Sequence, residues 1–96
     1  MIKVVVINNK IEISGHANFD DYGKDIVCAS VSSIVITTIN ACIEIDEDSI
    51  YYEDKEKLII EIKKENEVIK KLINNMVFML ESLEKDYPKN IKILRR

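Results

Sequence analysis

Between Asp25 and Ile45 the chain sets Val27, Val31, Ile34, Val35, Thr38, Ala41, Cys42 and Ile45 at steps of three and four. That spacing winds one apolar stripe along a helix. The residue types argue the other way, because Val, Ile and Thr favour strands. Length decides between them. Roughly twenty residues is too long for an ordinary strand, so a buried helix is expected, with Asp25 as its N-cap.

Shorter elements flank it. Ile2 to Ile7 is short and β-branched, and Lys10 to Ser14 alternates polar with apolar residues, so each reads as a strand. Asn8-Asn9 between them suits a tight turn, since asparagine tolerates positive φ. Ser49 to Asp54 and Lys57 to Lys63 form a second predicted hairpin around Asp54-Lys55-Glu56. Asn66 caps a second predicted helix. Val68, Ile69, Leu72, Ile73, Met76, Val77, Leu80 and Leu83 line its inner face, and Pro88 stops it. Asn90 to Leu94 reads as a last strand. The expectation is an α+β fold in the order ββαββαβ, with two helices packed on a small, mostly antiparallel sheet. The two ββα units suggest a loose duplication, although no residue-level repeat supports it. Residues 1–96 are read as one domain, with no linker or low-complexity segment. Within the second helix, Met76 to Leu80 is apolar nearly all round. One face can pack on the sheet, and a homodimer would hide the rest; a helix sandwiched within one small domain is the alternative.

Composition narrows the function classes. A chain of 96 residues buries a modest share of its surface. It is 47% hydrophobic and 32% charged, as in ordinary soluble proteins. Its net charge of −3 argues against direct nucleic-acid binding, which favours a basic patch. The sequence shows no signal-peptide pattern and no unbroken run approaching the ~20 apolar residues of a bilayer span. Two cysteines suggest free thiols in a reducing compartment. The expectation is a cytoplasmic protein without a membrane partner.

The reactive residues cluster. Gly15 to Ser30, GHANFDDYGKDIVCAS, holds the only histidine, both glycines and one of the two cysteines. With Asp25 as N-cap, Cys28 falls in the first helical turn, where unpaired N–H groups and the helix dipole favour a thiolate. A lone cysteine is also commonly a small buried hydrophobe. His16 lies twelve positions upstream, at a strand end. If the loop folds back, its imidazole can take the thiol proton and later protonate a leaving group. The plain alternative is a loop histidine without a role. Gly15 and Gly23 bracket a loop containing Phe19, Asp20, Asp21 and Tyr22. A glycine-hinged segment beside a nucleophile suits substrate gating, and an ordinary surface loop is the alternative. No metal is expected. Cys28 and Cys42 are fourteen positions apart on one helix, about 21 Å along its axis, so they share neither a metal nor a disulfide. Cys42 lies on the apolar stripe and reads as core.

G-H-A at 15–17, Gly23, D-I-V-C-A at 25–29 and V-S at 31–32 together closely resemble the ribosomal-processing cysteine protease family called Prp. The resemblance extends along the chain, through the paired hairpins and helices to Tyr87-Pro88 before the last strand. Ser30 stands where the family pattern suggests alanine, away from the reactive groups. The resemblance implies a cysteine endopeptidase without cofactor. Such an enzyme removes a short N-terminal extension from a large-subunit ribosomal protein and so supports ribosome assembly. It implies Cys28 as nucleophile and His16 as its partner, with Asp25 and Ser32 as supporting residues. It also implies a homodimer, a loop that rearranges on substrate binding (Gly15, Phe19, Tyr22, Gly23), and an extended peptide substrate with paired aromatics near the scissile bond. Asp25 either orients His16 or only caps the helix, and its offset from Cys28 favours the cap. The N–H groups of Cys28 and Ala29 are candidate oxyanion-hole donors. A non-catalytic module that binds a ribosomal protein is the alternative function, and a redox-sensing thiol protein is a third.

Overall fold

A computed structural model describes residues 1–21 and 23–96. The elements are β1 (Ile2–Ile7), β2 (Lys10–Ser14), α1 (Ile26–Ile45), β3 (Ile50–Asp54), β4 (Leu58–Ile62), α2 (Glu67–Asp86) and β5 (Ile91–Arg95). This is the expected order. Asn8 takes φ 49° in the β1–β2 turn, a left-handed conformation that asparagine tolerates.

The sheet runs β3-β4-β2-β1-β5. Only β1 and β5 pair in parallel; the other three pairs are antiparallel. Register sets Val4 opposite Ile13, Ile11 opposite Ile60 and Ile2 opposite Ile91. Side chains opposite one another share a face, and these six are buried. They join Val27, Val31, Val35 and Ile39 of α1 and Ile69, Ile73, Met76 and Leu80 of α2 in one core. Both helices therefore cover the same face. Lys3, Glu12, Glu61 and Lys92 alternate onto the other.

Three details depart from expectation. Val68 is exposed, because it lies on a row with Asn75 and Met79, which are exposed too. Ile45 is exposed where the chain leaves α1 at Asp46, while Ile39 belongs to the core. The third concerns membranes: α1 is long and apolar enough, by length and composition, to cross one. Interspersed Ser, Thr and Asn disguise this in the sequence, yet Glu44 is its only charged residue. Ser30 and Thr38 return their hydroxyls to the carbonyls of Ile26 and Ile34 at 2.7 and 2.8 Å, which lowers their polar cost. One side of α1 forms the core over the sheet.

Candidate active site

Asp25 organises the start of α1. Its Oδ1 accepts from the N–H groups of Val27 and Cys28, both at 3.0 Å. Its Oδ2 accepts from Phe19 at 2.9 Å and Asp20 at 3.4 Å. One carboxylate thus caps the helix and ties down the preceding loop. Burial pushes its carboxyl upward, but the N–H donors of Cys28, Phe19, Asp20 and Val27 outweigh this and hold it below the usual carboxylate range.

The loop returns the contact. Ala17, buried, donates its N–H to Cys28 Sγ at 3.5 Å. Asn90 holds the Ala17 carbonyl through Nδ2 at 3.0 Å. The Phe19 ring meets Tyr87 edge-on, with centroids 5.2 Å apart. At the loop's root, Gly15 has φ 85°, and a Cβ there would run into the Met1 carbonyl. A left-handed, side-chain-free residue is required at that point.

His16, Cys28, Ser32 and Gly15 line one groove of about 540 Å³. Ile13, Val31, Val35 and Ile39 supply its apolar floor, and Tyr52, Asp54, Lys55 and Glu56 of the β3–β4 hairpin form its far wall. The structure brings His16 and Cys28 to the same groove without a direct hydrogen bond; among the described residues the imidazole makes none. The expected oxyanion donors are already engaged. The Cys28 N–H goes to the Asp25 side chain and the Ala29 N–H to the Asp25 carbonyl. Of the expected gating loop, Gly15, Phe19 and Gly23 are described, Gly23 with φ 85°; Tyr22 lies outside the described residues. Cys42 is fully buried, and burial pushes its thiol up. Sequence reading missed the hairpin wall and Asn90. Their placement depends on sheet order, for which local patterning carries no signal.

Comparison with known proteins gives the class first. A family model described as Cysteine protease Prp matches residues 1–92, which places the chain in the cysteine peptidase class. The ribosomal processing cysteine protease Prp of Bacillus subtilis is 36% identical, over 85% of this chain and 80% of that protein. Its Staphylococcus aureus counterpart is 29% identical, over 84% of this chain and 80% of that protein. A crystal structure of the S. aureus protease with a covalently linked product peptide superposes with a TM-score of 0.90 at 27% identity, covering all of both chains. The chain belongs to the Prp family of cysteine proteases.

Proposed function

We propose that this chain removes the N-terminal extension of a large-subunit ribosomal protein, with Cys28 as nucleophile and His16 as general base and acid, and that this cleavage supports ribosome assembly. The observation that carries the reading is the shared groove: thiol and imidazole line one open cleft of about 540 Å³, a size that suits a peptide segment. The relatives' names as ribosomal processing proteases support the substrate class.

His16 takes the proton from Cys28 as Sγ attacks the scissile carbonyl carbon. The C–N bond breaks, the leaving amine receives that proton from His16, and a thioester remains. Water, deprotonated by His16, attacks the thioester carbonyl and frees the extension peptide and the thiol. Ser32, one helical turn beyond Cys28 on the groove wall, supports the bound peptide. Asp25 supports the site by holding helix start and loop together. Gly15, Phe19, Tyr22 and Gly23 belong to a segment that shifts as substrate enters. From Phe19 on, its ties include exposed Asp25 hydrogen bonds and one aromatic edge contact, each individually weak, while Ala17 stays buried and anchored by Asn90.

The enzyme works as a homodimer in the cytoplasm, on protein rather than nucleic acid or membrane. Phe78 and Met79 are 62% and 43% exposed, and Met79 borders a shallow hollow with Ile26, Ile34 and Leu83. A second copy covers such a surface well. In sedimentation, Phe78→Asp is expected to shift the protein to monomer; an unshifted dimer removes this face as the interface.

The functional test is a peptide spanning the extension. The wild type is expected to cut it once and Cys28→Ala not at all. Cleavage that survives Cys28→Ala contradicts the mechanism, and binding without cleavage by the wild type favours a binding module.

A further inference from the structure

The loop that carries His16 is held from behind by the turn between α2 and β5. Asn90, half-buried, donates from Nδ2 to the Ala17 carbonyl at 3.0 Å across a separation of 73 residues. Its own backbone is fixed on both sides. The Asn90 N–H donates to the Tyr87 carbonyl at 2.9 Å, and the Asn90 carbonyl accepts from the Ile2 N–H at 2.8 Å. Ile2 opens β1, which pairs with β5 from Ile91 onward. The amide therefore stands on the end of a rigid parallel strand pair.

Ala17 is 1% exposed and is the point where two hydrogen bonds meet. Asn90 fixes its carbonyl, and its N–H reaches Cys28 Sγ at 3.5 Å. An N–H aimed at sulfur favours negative charge there. The Cys28 and Ala29 N–H groups are committed to Asp25; among the described residues the Ala17 N–H is the donor that faces the sulfur.

We infer that Asn90 is a positioning residue for peptide cleavage: by holding the Ala17 carbonyl it keeps the Ala17 N–H on the Cys28 sulfur and His16 on the groove. The inference rests on the proposed role of Cys28 as nucleophile. Asn90 is not among the residues lining the groove; it acts through Ala17.

The test uses the full chain with Asn90→Asp and Asn90→Ala. Aspartate keeps the size and turn preference of asparagine but lacks the ionised-state donor. Two readouts are followed on the peptide spanning the extension and on iodoacetamide: the kcat and KM of cleavage, and the rate at which Cys28 is alkylated at pH 7. Loss of the tie is expected to lower kcat about 10- to 100-fold with KM within about twofold, as for a misplaced reacting group. Alkylation of Cys28 should slow in parallel. A merely structural role would not slow alkylation, because loosening exposes the thiol. Wild-type kcat and alkylation in both variants overturn the assignment, as does a lower kcat with unchanged or faster alkylation. Amide hydrogen exchange of the wild type adds a check that needs no variant: the Ala17 N–H is expected to be protected, and free exchange there overturns the assignment. Cys28→Ala run alongside separates the two readings. If it still cleaves, the nucleophile assignment fails; if it is inactive while both Asn90 variants are fully active, only the Asn90 assignment fails.

Discussion

Helices α1 and α2 are each 20 residues long and each begins on a capping side chain. Asp25 accepts from the N–H groups of Val27 and Cys28; Asn66 accepts from those of Val68 and Ile69, at 2.9 and 3.2 Å. The third helical residue then diverges. Ile69 is fully buried in the core, whereas Cys28 is half-buried and lines the groove. The surrounding charge diverges as well. Glu67 in the first turn and Lys85 in the last complement the dipole of α2, while α1 has no acidic residue in its first turn and no basic one in its last. Most telling is the spare oxygen. Asp25 Oδ2 reaches back to Phe19 and Asp20, so the cap of α1 also fixes the loop that faces the thiol. A helix start becomes a candidate site through what is tied to it, not through the cap alone.

Four substitutions test that contrast. The largest effect is expected at the root of the loop. Gly15→Ala demands a left-handed alanine whose Cβ meets the Met1 carbonyl, and should destabilise the fold by at least about 2 kcal/mol in urea unfolding. Wild-type stability there would mean the loop root is slack. Next come the two caps. Asp25→Ala and Asn66→Ala should each lower stability by loss of a helix cap, yet only Asp25→Ala should slow peptide cleavage, about tenfold or more. Equal slowing by both would erase the distinction between the helix starts.

The smallest effect is a pH dependence. The Asp25 carboxyl is held low in the folded protein, where burial raises it but its four N–H donors prevail. A depressed carboxylate adds stability above its unfolded value of about 3.9 and loses it as pH falls through the folded value. The stability gap between wild type and Asp25→Asn should therefore narrow below about pH 4. The gap between wild type and Asn66→Ala should hold steady over the same range, because asparagine does not titrate. Urea unfolding at several pH values reads both gaps.

Local chemistry made much of this molecule legible in advance. Periodicity and cap residues gave both helices, with Asp25 and Asn66 in place, and a β-branched run, the Asn8-Asn9 turn and the alternation of Lys10 to Ser14 gave the β1–β2 hairpin. Cys28 could be set in a first turn by counting from Asp25. What stayed hidden depends on long-range pairing. The β2–β4 ladder sets Ile11 against Ile60 and so brings Tyr52, Asp54 and Glu56 to the groove, and nothing within residues 50–62 announces that. The tie from Asn90 to Ala17 spans nearly the whole chain. The Cys28 N–H is taken by the Asp25 Oδ1 cap and the Ala29 N–H by the Asp25 backbone carbonyl, both of which follow from a cap at Asp25; the reach of Oδ2 back to Phe19 and Asp20 does not. Val68 was misplaced by one helical row, a rotation that an apolar count does not resolve.

The central claim is that two cysteines on one helix differ by position alone: Cys28 at the helix start, facing a groove with His16, and Cys42 inside the core. The most direct test is mass spectrometry of the protein quenched in acid during turnover of the extension peptide. A peptide-derived thioester should appear on Cys28, with Cys42 unmodified. An adduct on Cys42, or continued turnover by Cys28→Ala with no adduct at all, would contradict the account.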